Sequence, residues 1–277
     1  MSTESTGIHR FTLGDWPGLV IADVTRALDP ETGMPFINAE AQDMQAAYAA
    51  YEARTGQTPF EVSMNILLLD TPSGRVMVDT GNGPQGGGLL FERLDAAGIS
   101  RDSIDLIIIT HAHGDHISGL TDGEGNRQFP NARVVIHEVE WDAVAADPNE
   151  AQQKHLLSQA DHIERVAAGT EIVPGISGIA LPGHAPGQMG LIFDNGDARL
   201  VHVADAFHRP LQPEHPEWYI AFDRDPARAV QSRQELFARA SSEGWLVLPY
   251  HTPHPGFGQV QLTDEGYQWQ PELSAAE

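Results

Sequence analysis

Apolar positions along this chain come in short blocks, and the spacing inside each block separates strands from helices. Val62–Leu69 and Val76–Asp79 are apolar runs on either side of Pro72-Ser73-Gly74, which is turn chemistry, so they read as two strands. Ile104–Ile109 is a buried strand by the same pattern, Ala132–Ile136 is another, and Ile176–Leu181 and Trp245–Pro249 follow later in the chain. Gly190–Phe193 and Arg199–Val203 form a hairpin across Asn195-Gly196, a strong turn signal. Helical spacing shows at Ala41–Arg54, where Met44, Ala47, Tyr48 and Tyr51 are the apolar positions. Leu89–Ala97 reads as a helix ended by Gly98, Glu138–Ala146 as a short helix, and Ala151–Ala168 as helical. Pro226–Ser242 is a helix with Asp225 as its N-cap. Ahead of the first strand, the stretch through Thr58 reads as irregular apart from the 41–54 patch. Strands and helices alternate in both halves, so the chain is expected to be α/β with mixed sheets. Two similar halves would place a site where their sheet edges meet.

A length of 277 residues allows a sizeable core, and no low-complexity linker splits the chain. We read 1–277 as a single domain with an N-terminal extension over about residues 1–60. No apolar run is long enough to cross a bilayer. Met1–Arg10 is polar and lacks the charged-then-apolar order of a signal peptide, so a cytoplasmic location is expected. There is no cysteine, which removes disulfides, thiolate ligands and a Cys nucleophile together. Any metal must therefore be held by nitrogen and oxygen. The formal net charge of -23 argues against nucleic acid and anionic membranes as partners. Lys154 is the only lysine, which leaves Schiff-base and P-loop chemistry almost nothing to work with.

The chemistry concentrates after the strand at 104–109. Thr110-His111-Ala112-His113-Gly114-Asp115-His116 places three imidazoles and a carboxylate on one turn, and these are ligands that zinc and neighbouring transition metals accept. His111 and His113, two apart at a strand end, point to the same side and can share one ion; Asp115 and His116 can aim at a second. Three more ligand-type residues stand at later strand ends: His184 in Pro182-Gly183-His184, Asp205 after Leu200–Ala204, and His251 after Leu246–Tyr250. Seven nitrogen and oxygen ligands are enough for two metals and a bridging carboxylate.

With these residues in place, the chain resembles the metallo-β-lactamase-fold hydrolases. Val78-Asp79-Thr80-Gly81 also matches that family, whose Asp buttresses the metal site. The resemblance runs from about Val62 onward and implies an α/β, four-layer αββα sandwich with the site at one edge of the sheets. It implies that His111, His113 and His184 bind one metal, that Asp115, His116 and His251 bind the other, and that Asp205 bridges them. Flavo-diiron relatives carry Glu where this chain has His113, which favours the hydrolase branch. Two divalent ions are the implied cofactors, with zinc as first choice and iron, manganese or cobalt accepted by the same ligands. Further stretches narrow the likeness: Pro130–Val134 with His137-Glu138-x-Glu140-Trp141, Asp205-Ala206-Phe207-His208 with His215-Pro216-Glu217-Trp218, and His251-x-x-His254-Pro255-Gly256-Phe257-Gly258. These resemble the methyl parathion hydrolase-like subgroup, which includes lactonases and aryl-ester or organophosphate hydrolases. Acyl-homoserine lactonases, nearby cousins, commonly carry Tyr three residues after the bridging Asp; here that residue is His208. The departure counts against acyl-homoserine lactone specificity and leaves hydrolysis untouched.

The expected activity is hydrolysis of small lactones or aryl esters by a metal-bridging hydroxide. Asp115 would relay the proton to the leaving group, and His208 would either contact the oxyanion or orient Asp205. Phosphotriester hydrolysis is the alternative, followed by a glyoxalase-II-like thioesterase, for which the acidic tail after Thr263 offers no basic residues to hold glutathione. A non-catalytic binding module would usually have lost a ligand. The partners implied are a small-molecule lactone or ester and, from the subgroup, a second copy in a homodimer. His9, His155 and His162 read as surface residues, and His137 and His202 as packed or surface. His254 and His215 are candidates for the pocket mouth. Trp16, Phe36, Phe207 and Trp218 are candidates for its apolar lining, with ordinary core packing as the plainer role.

Overall fold

The structure is a computed structural model, and it describes residues 6–29, 36–58 and 60–272. Within it the strands assemble into two seven-stranded sheets. The first runs β1 (Ile8–Leu13), β2 (Trp16–Ala27), β3 (Glu61–Thr71), β4 (Gly74–Val78), β5 (Leu106–Ile109), β6 (Arg133–His137) and β7 (Ile163–Val166) in that spatial order. Neighbours from β1 to β4 are antiparallel, and from β4 to β7 parallel. The second sheet runs from β8 (Glu171–Val173) through β9 (Ile176–Ala180), β10 (Met189–Asp194), β11 (Arg199–Ala204), β12 (Leu246–Pro249) and β13 (Gly258–Thr263) to β14 (Gly266–Pro271). Its one parallel pair is β11 with β12.

Alternation within these strands makes the layers. Val76 and Val78 of β4, and Leu106 and Ile108 of β5, pack between the sheets with Leu191, Phe193, Leu200 and Leu248 of the second sheet. Their neighbours Met77, Ile107 and Ile109 face the other way, onto α2 (Leu90–Ala96) and α4 (Glu138–Ala146) through Leu90, Leu94, Trp141 and Val144. On the far side, Val201, Val203 and Val247 meet Tyr51 of α1 (Ala41–Thr55) and Leu236 and Phe237 of α5 (Pro226–Glu243). Helices, sheet, sheet and helices give the expected four-layer αββα sandwich. The α5 ends follow the sequence signals: Asp225 Oδ1 accepts from the Arg228 amide at 3.0 Å, and Gly244 closes the helix at φ 63°.

Three expectations need correction. The stretch before Thr58 is not irregular, because Ile8–Ala27 forms β1 and β2, with Leu13 paired to Trp16 across a tight turn. β2 is buried on both faces from Gly18 to Val24, so it lacks the alternation that marks a strand. Residues 1–5 and 30–35 of that stretch lie outside the described residues. Ala151–Ala168 is not one helix. A π-helical turn at Gln152–Leu156 passes into 3₁₀ turns at Leu157–His162, and Ile163–Val166 then adds to β6 as β7. A free parallel sheet edge beside Val134–His137 overrides the weak helical pattern there. The hairpin of β13 and β14, turning at Asp264-Glu265, was also unmarked, since polar Gln259, Gln261, Gln268 and Gln270 dilute its apolar positions.

The parallel pairs fix where chemistry collects. β4 and β5 run the same way, as do β9, β11 and β12, so residues just past their C-terminal ends meet along one edge of the sandwich. Asp79, His111, His184, Asp205 and His251 all follow such ends. Backbone bonds tie the two sheets there: Met189 N–H to Thr110 O at 2.9 Å, and Asn65 N–H to Tyr250 O at 2.9 Å.

Candidate metal centre

The backbone is bent at two strand ends that carry site residues. Asp79 (φ 62°) and Ala204 (φ 48°) are the only non-glycine residues with positive φ among the described residues. Such conformations persist where the surroundings over-determine them. At Asp79 the surroundings are visible: Oδ1 accepts from Thr110 N–H at 2.8 Å, and Oδ2 accepts from Thr110 Oγ1 and from His116 Nδ1, each at 2.8 Å. Ala204 turns the chain so that Asp205 points inward. The His184 turn depends on two glycines. A Cβ at Gly183 would lie 2.2 Å from Ala229 N, and one at Gly187 would lie 2.1 Å from Glu140 N. The loop is pressed between the start of α5 and α4, and only glycine fits.

The structure brings all seven sequence-predicted metal ligands together. His111, His113, His184 and Asp205 form one donor set, and Asp115, His116 and His251 form another. In the first, His113 Nδ1 stands 3.1 Å from His111 Nε2 and 2.9 Å from His184 Nε2. The outward nitrogens are already committed. His184 Nδ1–H donates to Asp223 Oδ1 at 2.9 Å, and His111 Nδ1 lies 3.2 Å from Thr110 Oγ1. That leaves lone pairs facing lone pairs, an arrangement a cation resolves. In the second set, His251 Nε2 lies 3.3 Å from Asp115 Oδ2, and His116 is held through Nδ1 by Asp79. Asp205 stands between the sets. Its Oδ2 is 3.3 Å from His184 Nε2 and 3.2 Å from His251 Nε2, and its Oδ1 is 3.5 Å from His116 Nε2. Both His116 Nε2 and Asp205 Oδ1 are buried with no hydrogen-bond partner. Buried polar atoms without partners are rare, and here they face one another across a set of nitrogen and oxygen donors. The residues present therefore fit two divalent ions of the kind that imidazole and carboxylate hold.

Charge divides the two sets. Burial and the neighbouring His116 and His113 keep His111 well below its usual value, and burial and His184 push His113 down to about 4. Burial alone would lower His116 and His251 too, but Asp205, Asp79 and Asp115 outweigh it. His116 lies well above its usual value, and His251 is raised to about 9 by Asp205 and Asp115. Burial works against the ionised forms of Asp115 and Asp205, yet the surrounding imidazoles lower both. In the metal-free protein this leaves His111 and His113 neutral, and His116 and His251 protonated and paired with carboxylates.

His208 is buried, with Nε2 3.2 Å from Asp205 Oδ2 and its ring stacked on His251 at 5.4 Å. Burial pushes it down to about 4 against the pull of Asp205. Three positioning residues were given no role from sequence. Asp223 braces His184 and is itself met by the buried guanidinium of Arg233 at 3.4 Å. Tyr250 donates its hydroxyl to the Asp115 carbonyl at 2.7 Å and packs its ring 4.1 Å from that of His116. Glu140 accepts from Ala112 N–H at 3.0 Å and from Gly187 N–H at 2.9 Å, and so ties the His111–His113 turn to the His184 turn. The signal for Glu140 was a carboxylate inside an apolar helix face beside Trp141.

Other expectations move. His155 is buried rather than on the surface, 2.8 Å from Thr121 Oγ1, whereas His162 is exposed. His137 is packed, with Nδ1 2.8 Å from Gly187 O, and His202 is fully buried. His254 turns away from the centre to Asn65 Oδ1 at 3.1 Å, and His215 stacks on Trp218 at 3.8 Å. Trp16 packs between the sheets, and Phe36, Phe207 and Trp218 pack under α5. A chamber of about 430 Å³ opens over the two donor sets, and its apolar walls are Leu28, Val62, Met64 and Phe222 instead. No helix among the described residues is long and apolar enough to cross a membrane.

Known proteins share this architecture. An N-acyl homoserine lactonase of Bacillus thuringiensis is 26% identical over 209 residues, which cover 66% of this chain and 79% of that protein. AidC, described as a dizinc quorum-quenching lactonase and solved with the product N-hexanoyl-L-homoserine, superposes with a TM-score of 0.84 at 24% identity. That match covers 96% of this chain and 98% of the other. The hydrolase AbOPH superposes with a TM-score of 0.85 at 25% identity over 98% and 99% of the two chains. Residues 60–251, which hold all seven candidate ligands, match the metallo-beta-lactamase superfamily. With that match added to the αββα layers and the His–Asp edge they carry, the chain belongs to the metallo-beta-lactamase superfamily.

Proposed function

We propose that this metal-dependent hydrolase is dinuclear and opens small lactones or cleaves aryl esters. The observation that carries the reading is the shared carboxylate: Asp205 lies between a three-histidine set and an Asp–His–His set, with its Oδ1 and His116 Nε2 otherwise unpartnered. His111, His113 and His184 would hold one ion, Asp115, His116 and His251 the other, and Asp205 both; zinc is our choice for each. Two such ions, when bound, supply a hydroxide-grade nucleophile near neutral pH and polarise the carbonyl under attack.

The chain's own residues do the rest. Leu28, Val62, Met64 and Phe222 seat an apolar group beside the centre. Asp115 lines the same chamber and is partly exposed. Its Oδ2 faces His251, while Oδ1 takes no hydrogen bond among the described residues and is the atom placed to pass a proton to the leaving oxygen. His208, neutral at working pH, directs Nε2 to Asp205 Oδ2 and fixes that carboxylate between the sets. The likeness to the Bacillus thuringiensis enzyme puts acyl-homoserine lactones on the substrate panel, and the His at 208 keeps aromatic lactones and aryl esters beside them.

The test is ring opening followed by a pH indicator, with zinc-loaded protein, an aromatic lactone, an acyl-homoserine lactone and a phosphotriester of matched size. Lactone or ester turnover well above phosphotriester turnover is expected, because nothing in the chamber selects phosphorus. A clean phosphotriester preference would overturn the substrate class while leaving the metal centre intact.

Two further expectations concern the ions. Those entering the second set must displace the protons on His116 and His251, while His111 and His113 carry none to lose. Calorimetric zinc titration in buffers of different ionisation enthalpy should therefore show release of about two protons on filling the second set. Affinity at the second should rise with pH through about 9, since lower pH favours the protonated competitor. Zinc uptake without proton release would contradict the assigned charge states. Asp223→Asn, which weakens the acceptor under His184 Nδ1, should lower affinity at the first site by about 10–100-fold, read by chelator competition. An unchanged affinity would remove Asp223 from the site's support.

A further inference from the structure

A second cavity continues from the chamber. It is a trench of about 920 Å³ that shares Arg26, Met64, Gly114 and Asp115 with the chamber wall. The two spaces thus meet at the edge of the metal centre, and their linings differ. The chamber walls are mostly aliphatic and aromatic carbon; the trench mixes Met64, Pro84 and Phe91 with Asn82, Gln85, Ser118, Thr121 and Gln128.

Arg26 stands at the junction. It lies near the end of β2, opposite Val62 in the β2–β3 register, and its side chain is exposed and makes no hydrogen bond or ion pair with the described residues. Among the described residues Arg54, Arg75, Arg133, Arg199, Arg233 and Arg239 are committed to carboxylates, whereas the Arg26 guanidinium is left open to the junction of the two spaces. Arg101 also lines the trench and lies over the Phe91 ring at 4.5 Å, and Lys154 donates to Oε1 of the lining residue Gln85 at 3.1 Å. Two carboxylates line the trench: Asp115 belongs to the metal centre, and Asp122 is occupied by the Glu124 and Asn126 amides and by Asn126 Nδ2, at 2.8–2.9 Å.

Resting on the hydrolase reading above, we propose that the substrate has two parts. Its lactone or ester ring sits in the chamber, and an acyl or alkyl arm passes Asp115 into the trench and ends in a carboxylate that Arg26 binds. The guanidinium fork matches a carboxylate in two parallel hydrogen bonds. Arg26 is thereby a specificity-determining residue that contacts the arm, remote from the bond broken.

The probes are γ-lactones bearing alkyl arms of graded length that end either in a carboxylate or in the primary amide. For the zinc-loaded enzyme, KM should be lower for the carboxylate at the matching length. Arg26→Ala should raise that KM about tenfold with kcat little changed, and should leave the amide unaffected. Arg26→Glu should reverse the preference. Calorimetry with the ring-opened hydroxy-diacid gives a readout independent of turnover: the wild type should bind it about tenfold more tightly than Arg26→Ala. Equal KM for both arms, or equal losses for both in Arg26→Ala, overturns the proposal. If the wild type opens neither lactone, the lactone part of the proposed function fails, and binding of the diacid alone decides whether the trench takes a carboxylate.

Discussion

Asp115→Asn is expected to lower kcat by about 10²–10⁴-fold, the range for loss of a positioned general acid–base group. The reason lies in the division of labour between its two oxygens. Oδ2 is committed to the His251 side of the centre, while Oδ1, on a side chain that lines the chamber, takes no hydrogen bond among the described residues. Asn keeps an oxygen toward the ion and keeps the size of the group, but it loses the negative charge and with it the ability to take and give a proton. The loss should therefore depend on the leaving group. An alkyl lactone, whose alkoxide must be protonated, should suffer the full loss, whereas a nitrophenyl ester, whose phenolate departs unaided, should suffer much less. Zinc content measured alongside separates this from ligand loss. Equal losses on both substrates with zinc retained would remove the proton role from Asp115 and leave it a ligand alone.

How far the site could be read from sequence follows from how local each signal is. His111–His116 is legible because four ligand types fall on one turn after an apolar strand. His184, Asp205 and His251 are legible only because each ends a strand whose apolar run is clear. Asp223 lies on a loop just before α5 and reaches His184 across 39 residues of chain. No spacing rule links them, since the contact exists only once α5 packs against the His184 turn. The strands lost in reading fail for two reasons. β2 is buried on both faces, and β7 takes its conformation from the sheet edge it joins. The chamber walls were misassigned for a third: large aromatics such as Phe207 and Trp218 suit a pocket and a core equally, and here the core beneath α5 takes them.

Glu140→Ala should weaken the fold and the centre together. Glu140 is buried, and its two carboxylate oxygens each hold one backbone amide, Ala112 N and Gly187 N, on two turns that carry His111, His113 and His184. The His184 turn has little other slack, because Gly187 already lies against the Glu140 backbone and His137 Nδ1 takes the Gly187 carbonyl at 2.8 Å. Removing the carboxylate leaves two buried amides without acceptors, at about 1–3 kcal/mol each, and a gap where the side chain stood. Denaturant unfolding of the metal-free chain should therefore show a loss of about 2–6 kcal/mol, before any ion is considered. Glu140→Gln should recover only part of it: one amide keeps an oxygen acceptor, and the other meets an NH₂ donor. Zinc affinity at the three-histidine set should fall by about 10–100-fold in the Ala variant, as for lost support behind a ligand. The Asp115–His116–His251 set, held by Asp79 and Tyr250 instead, should keep its affinity. A metal-free stability equal to wild type would show that the two turns hold their positions without the clamp. Equal weakening of both ion sites would show that Glu140 acts on the whole fold rather than on the turns it bridges.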